Sequence, residues 1–362
     1  MPEPSAAGLL GGPAGRVPSP APASIPSSRR DMTAFLEASG WGRAAPAALA
    51  ADASFRRYYR LRRGRDSVIL MDAPPPQEDV RPFVTVAAML RRLGLSAPEV
   101  LAEDRANGFL LIEDFGDDTY TRLLERGADE PALYALAVDT LAALQHAVAA
   151  GGAAPSLPDY DTTRLLDEAA LLVDWYLPAV LGAPIAASLR AEYLALWRAA
   201  LAQAIGSGAP TLVLRDFHVD NLMLLPDRRG VRRCGLIDFQ DAVCGPPGYD
   251  LVSLIEDARR DVPPELRRAM TERYLAAFPV LDRLAFARSA AILAAQRNCK
   301  ILGVFTRLWK RDGKPGYLAH VPRLWRLLEA ELREPALAGI ARWLDRHLPP
   351  FARRTPDLDG AA

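Results

Sequence analysis

The sequence predicts an α+β protein of two lobes, a small antiparallel sheet followed by a mainly helical body. Three observations predict it. Short strand-like apolar runs occupy the early part of the chain, helical periodicity fills the part after residue 117, and an apolar hairpin near residues 222 to 237 interrupts that helical part. With 362 residues, half of them hydrophobic, the chain can bury a large core and divide in two.

Residues 1 to 30 are rich in Pro, Ala, Gly and Ser without apolar periodicity, which predicts a disordered tail. Glu3 precedes the first Arg and no apolar core comes after a basic start, so the segment does not read as a signal peptide. Ser28-Arg29-Arg30 hints at a twin-arginine signal, but Asp31 and Glu37 place acidic charge where such a signal needs an apolar run. Asp31 reads better as the N-cap of a helix running toward Ser39. No uncharged apolar run reaches the ~18 residues that span a bilayer.

The first lobe, residues 31 to 116, should hold strands at 56 to 61 and 67 to 71, joined by a turn in which Gly64 supplies the needed backbone freedom. A helix from 78 to 93 should bury Val80, Phe83, Val84, Ala87 and Leu90, and residues 109 to 112 form a buried strand. The second lobe, 117 to 350, should carry helices near 131 to 149, 162 to 181, 186 to 205, 264 to 277, 283 to 311 and 321 to 333. Trp175, Trp197, Trp309, Trp325 and Trp343 fall in these helices, where large aromatics pack cores. Residues 351 to 362 read as a flexible tail.

The 44 basic and 44 acidic residues cancel and are mixed along the chain, which excludes an electrostatic footprint for nucleic acid or an anionic membrane. Three scattered cysteines, Cys234, Cys244 and Cys299, are too few for a disulfide framework or a zinc site. Reduced thiols and a cytoplasmic monomer are expected.

Chemistry concentrates in Leu214-Arg215-Asp216-Phe217-His218-Val219-Asp220-Asn221 and Leu236-Ile237-Asp238-Phe239. Residues 222 to 225 and 234 to 237 are apolar runs around the turn 226 to 230, so they read as a hairpin. Pairing centred on that turn sets Leu224 opposite Gly235, Leu222 opposite Ile237 and Asn221 opposite Asp238. Two oxygen ligands for Mg²⁺ then converge at the open end, and the loop from 216 returns the Asp216 carboxylate to the same mouth. A base for a hydroxyl beside a metal pair is what phosphoryl transfer requires. Single acidic residues often merely cap loops, and it is the spacing, hairpin and flanking strands together that carry the functional reading. His218 reads as a neutral hydrogen-bonder that holds the loop.

This segment resembles the catalytic loop of the aminoglycoside phosphotransferase and choline kinase superfamily, H-G-D-x-H-x-x-N followed by I-D-[FW]-[DEQ]. Leu214 and Arg215 depart from it, standing where His and Gly would be. The stretches 52 to 60, 69 to 75, 237 to 242, 249 to 254, 300 to 308 and 312 to 318 are further similar to bacterial sugar kinases that phosphorylate C1 of N-acetylmuramate and N-acetylglucosamine in peptidoglycan recycling. The likeness spans roughly residues 31 to 350. It implies a protein-kinase-like fold, ATP and Mg²⁺, and a small amino sugar as substrate.

On that resemblance, Asp216 is the catalytic base, Asn221 and Asp238 hold the metal, and Glu113 and Phe115 flank adenine at the hinge between lobes. Asp250 braces the catalytic loop and caps a helix. The strand Lys that clamps nucleotide phosphates in protein kinases is replaced by Met71. Arg56 and Arg57, following Ser54 in the first hairpin, are either substitutes offering forked donors to phosphate or solvated strand residues. His218, Asp220, Gln240 and Asp241 lie on the substrate side. Arg297, Lys300 and Arg307, returning to one face of a helix, would suit a substrate carboxylate such as the lactyl group of N-acetylmuramate. The alternatives are a kinase of another small alcohol and a pseudokinase scaffold, the latter opposed by the presence together of Asp216, Asn221 and Asp238.

Overall fold

The structure, a computed structural model, describes residues 27–49, 55–151, 157–206 and 208–357. They fall in two compact units, one ending at Arg43 and one beginning at Ala44. The first contributes helix α1 (Ser27–Ala38), so Asp31 lies inside a helix and is not its N-cap. Of the expected N-terminal tail, residues 27 to 30 are helical and residues 1 to 26 lie outside the described residues.

The second unit opens with β1 (Ala47–Ala48), β2 (Arg57–Arg63) and β3 (Asp66–Asp72), followed by helix α2 (Arg81–Arg92), β4 (Val100–Asp104) and β5 (Phe109–Glu113). The strands make one antiparallel sheet in the order β1-β2-β3-β5-β4. Arg63 pairs with Asp66, leaving Gly64 and Arg65 as a two-residue turn, and Gly64 has φ 62°, a conformation that a Cβ penalises. Helix α2 starts later than expected, with a Pro in its first turn. Its buried face is Phe83, Val86, Ala87, Met89 and Leu90, while Val84 is only half-buried.

The helical part comprises α3 (Tyr120–Glu125), α4 (Glu130–Ala149), α5 (Thr162–Leu171), α6 (Leu177–Leu181), α7 (Ala187–Ala204), α8 (Tyr249–Ile255), α9 (Pro264–Ala277), α10 (Arg283–Asp312), α11 (Val321–Glu331) and α12 (Ala338–His347). Side chains of Thr119, Asp129, Asp161 and Asp282 cap α3, α4, α5 and α10. Helix α4 is long and apolar enough to cross a membrane by composition, but Leu133, Val138, Leu141 and Leu144 pack into the core.

The run expected as one helix from 162 to 181 is instead α5 and α6 joined by a π-helical turn, Leu172–Tyr176. Beside it, Gly303 of α10 lets the helices touch, since a Cβ there would lie 2.3 Å from the Leu171 carbonyl carbon and oxygen. Gly303→Val is therefore expected to cost about 1–3 kcal/mol or more by overpacking against backbone. Thermal unfolding should show a lowered Tm, and an unchanged Tm would contradict this packing.

Two apolar clusters fill the interior. One joins the sheet and α2 to α4, α9 and the hairpin around residues 222 to 236; the other is built on α10 with α5, α7, α11 and α12. Trp197, Trp309, Trp325 and Trp343 belong to the second cluster, and Trp175 is half-buried. Cys234 and Cys299 are buried, Cys244 is partly buried, and all three are free thiols. The expected C-terminal tail docks in part: Arg353 pairs with Glu329 at 2.9 Å and with Asp345 at 2.5 Å, and the Arg354 carbonyl accepts from Tyr176 at 2.6 Å.

Two short ladders carry the candidate catalytic segment. Strand β6 (Thr211–Val213) pairs with β9 (Val243–Gly245), and β7 (Leu222–Leu224) pairs with β8 (Cys234–Leu236). Along β6 and the residue after it, Leu212 and Leu214 enter the first cluster while Val213 enters the second. The β7–β8 register is one residue away from the expected one: Leu224 opposes Cys234 and Leu222 opposes Leu236. The connection, which includes a 3₁₀ turn over Gly230–Arg233, closes one residue shorter than expected, and Asn221 faces Ile237, whose N–H donates to the Asn221 carbonyl at 3.1 Å.

Candidate active site

Asp238 still reaches Asn221 because the chain bends sharply at that residue. Asp238 has φ 57° and Arg215 has φ 70°, the two non-glycine residues with positive φ among those described. The bend at 238 turns the side chain back, and Asn221 Nδ2 donates to Asp238 Oδ2 at 3.4 Å. The same amide donates to the Asp216 carbonyl at 2.9 Å, closing the loop on itself. Gln240 Nε2 fixes the other oxygen of Asp238 at 2.9 Å and also approaches the exposed Asp241 at 3.4 Å.

Asp250 holds the loop from beneath. Its Oδ2 accepts from Leu214 N–H at 2.7 Å and its Oδ1 from Arg215 N–H at 2.9 Å. Burial, and after it the nearby Asp216, pushes this carboxyl up to about 7 against the two backbone donors. The bracing is as the sequence implied, but Asp250 caps no helix, since the N-cap of α8 is Gly248. Ser253 adds a bond to the Arg215 carbonyl at 3.2 Å.

Asp216 is thereby positioned by backbone alone. Among the described residues nothing donates a hydrogen bond to its carboxylate. Burial by itself would raise its pKa, but Lys300, His218, Arg215 and Arg297 outweigh burial and hold it below the usual carboxylate range. His218 is buried, with its Nε2 3.4 Å from both Asn221 Nδ2 and Arg259 Nη1. Burial, reinforced by Arg259, pushes its pKa down despite Asp257, so the imidazole is neutral at pH 7 and braces the loop. Asp220 accepts from Thr121 of α3 and lies 3.6 Å from Arg259.

A cleft of about 320 Å³ opens between the sheet and the β7–β8 hairpin, walled by Ile69, Ile112, Phe115, Met223 and Ile237 and ending at Asp238. Glu113 and Phe115 line it; Arg228 pairs with Glu113 and lies 5.0 Å over the Phe115 ring. Arg60 was not foreseen. It sits on the same strand face as Tyr58, two residues on, and binds Asp114 at 2.9 Å and Asp117 at 2.8 Å at the far end of the cleft.

Of the two arginines weighed for the phosphates, only Arg56 comes to the site, 3.7 Å from Asp238 Oδ1 and 3.4 Å from Glu78. Arg57 is exposed and faces Asp72 across the ladder. Met71 is buried in the core and does not wall the cleft, so its role there is packing. Ser54 lies outside the described residues.

The three cations of α10 do not form one open face. Arg297 is buried and donates to the Glu256 carbonyl at 3.1 Å, and Lys300 pairs with Glu168 at 3.2 Å. Arg307 is half-buried further along the helix. A helical repeat puts these residues in phase, but here the phase points largely inward.

A comparison of the sequence with known families matches the phosphotransferase enzyme family over residues 47–287. An N-acetylmuramate/N-acetylglucosamine kinase of Caulobacter vibrioides is 41% identical over 91% of this chain and 99% of that kinase. Another of the same description, from Pseudomonas aeruginosa, is 41% identical over 85% of this chain and 90% of that protein. Among solved structures, the choline kinase LicA from Streptococcus pneumoniae aligns with TM-score 0.58 at 13% identity, covering 84% of this chain and 99% of that one. Wild-type aminoglycoside 2'-phosphotransferase-IIIa in its GDP complex aligns with TM-score 0.54 at 18% identity, covering 84% of this chain and 98% of that one. At such identities these structures speak for the fold, which is the two-lobed, kinase-like one, while the sequence match and the kinases so similar along nearly their whole length place the chain itself: it belongs to the phosphotransferase enzyme family.

Proposed function

We propose that this chain is an ATP-dependent kinase that phosphorylates the anomeric C1 hydroxyl of N-acetylmuramate and N-acetylglucosamine, a step in reusing cell-wall sugars. The observation that carries the reading is Asn221, whose amide holds the Asp216 carbonyl and approaches Asp238 at one end of an apolar cleft, while the Asp216 carboxylate accepts no hydrogen bond among the described residues. The similarity to kinases of that description over most of the chain supports the choice of sugar.

Asn221 and Asp238 fit Mg²⁺. They offer hard oxygen donors, Asp238 has a third of its side chain (34%) exposed, and this ion takes one or two protein ligands plus phosphates in preference to a full protein cage. When bound, Mg²⁺ would neutralise charge on the phosphates of ATP. The chain does the rest by positioning. The Glu113 to Phe115 segment and the apolar walls hold adenine, Arg56 meets the phosphates beside Asp238, and Asp216 takes the acceptor proton as the bond to phosphorus forms.

The test is a kinase assay over a panel of amino sugars, choline, homoserine and an aminoglycoside, with the product read by phosphorus NMR. A sugar 1-phosphate is expected. Turnover of another alcohol with the amino sugars untouched would overturn the reading. Within it, Arg56→Ala should raise the KM for ATP and lower kcat while leaving the KM for sugar alone, and Arg57→Ala should change neither. Wild-type kinetics in Arg56→Ala would remove Arg56 from the phosphate site.

A further inference from the structure

Glu168 of α5 is buried in the second apolar cluster, yet every side of its carboxylate is engaged. Its Oε1 accepts from the Arg215 guanidinium and pairs with Lys300 Nζ at 3.2 Å; its Oε2 accepts from Tyr160 at 2.5 Å and from Gln296 at 3.3 Å. The two cations come from different elements, the loop after β6 and α10; Arg215 adjoins Asp216 in the chain, and both cations pull the Asp216 carboxyl down. Neither forms an ion pair with Asp216 among the described residues; both pair with Glu168, and Arg215 also donates to the Asp241 carbonyl at 3.5 Å and rests 5.6 Å over the Tyr160 ring.

A buried ammonium without a counter-ion is costly, and Lys carries its charge on a flexible stem. Were the Glu168 charge absent, Asp216 would be the anion within reach of Lys300, and a Lys300–Asp216 pair would occupy the oxygens that the acceptor hydroxyl needs. We propose that Glu168 is a positioning residue for the acceptor base: by engaging Lys300 and Arg215 together, it keeps those cations off Asp216 and leaves its carboxylate open to the sugar. This rests on the reading of Asp216 as the base. Arg215 supplies one arm of the clamp from a left-handed backbone position.

The experiment is a double-mutant cycle on the full chain, with kcat, both KM values and ATP binding by calorimetry measured for the wild type, Glu168→Gln, Lys300→Met and the double variant. Glu168→Gln should lower kcat by about 10²-fold, a loss of the size of a misplaced base, with the KM for ATP within about twofold. Adding Lys300→Met to it should recover kcat by about tenfold, because the competing cation is gone. A purely structural Glu168 predicts the opposite, a double variant as slow as or slower than Glu168→Gln, and that result overturns the proposal. Should Glu168→Gln fail to bind ATP, Glu168→Asp, which keeps the charge but retracts it by one methylene, is measured with and without Lys300→Met and judged in the same way. Asp216→Asn is run in parallel. If it remains active, the base assignment has failed; if it is inactive and the cycle shows no recovery, only the role of Glu168 has.

Discussion

Asp216→Asn is expected to lower kcat by about 10²- to 10⁴-fold, the usual worth of a positioned general base, while ATP affinity stays nearly unchanged. The substitution keeps the volume and leaves the backbone of the loop intact. That backbone is held by the Asp216 N–H to the Leu214 carbonyl at 2.9 Å, by Asn221 on the Asp216 carbonyl and by Asp250 beneath it. The side-chain oxygens make no hydrogen bond among the described residues, so the change touches only what acts on the acceptor. Steady-state kinetics with calorimetric ATP binding would check it, and retention of more than a third of wild-type kcat would show that another group takes the proton.

The second large effect concerns Asp238. At φ 57° an Ala would add backbone strain to the loss of the carboxylate, whereas Asn tolerates that conformation, so Asp238→Asn is the cleaner variant. It removes one charged oxygen from the proposed metal pair. ATP affinity measured with Mg²⁺ should fall by about 10- to 100-fold, the worth of one charge-assisted contact, and affinity measured without the metal should not change. Equal losses under both conditions would point to a disturbed fold, most directly through the Gln240 and Arg56 contacts that share this carboxylate.

These site residues were legible because their signal is local. Asp216, Asn221 and Asp238 stand at short spacings around a hairpin, and apolar runs with turn residues between them identify a hairpin without any knowledge of the rest of the fold. Its register was not legible: the connection closes one residue shorter than the apolar runs suggest, through a 3₁₀ turn over 230 to 233, a matter of backbone geometry that residue types do not encode. The long helices were visible by period. Helix α8 had no such rhythm to show, because all seven of its residues are buried, and only the cap expected at Asp250 pointed to a helix there. The same limit misled the reading of Arg297 and Lys300. Helical phase tells which residues share a face, but not whether that face meets solvent or the core, and α10 runs through the interior with sixteen residues buried. Strands β1 and β4 escaped notice as short pieces with exposed or half-buried residues.

Strand β6 is only three residues long, yet it divides its side chains between two cores, Leu212 and the adjoining Leu214 on one side and Val213 on the other. The loop that carries Asp216 begins where it ends, so the proposed base has no independent foundation: a loss of order in either cluster reaches it through one short ladder. In thermodynamic terms the site belongs to a shared cooperative unit. Ligand binding then acts on the whole of that unit, and at a hundred times its dissociation constant a nucleotide would add about 2.7 kcal/mol to the unfolding free energy of both cores together. A cavity cut far from the cleft, beside α10 for instance, should therefore be partly masked by ATP, and a nucleotide-dependent Tm would report damage that an activity assay at saturating ATP conceals.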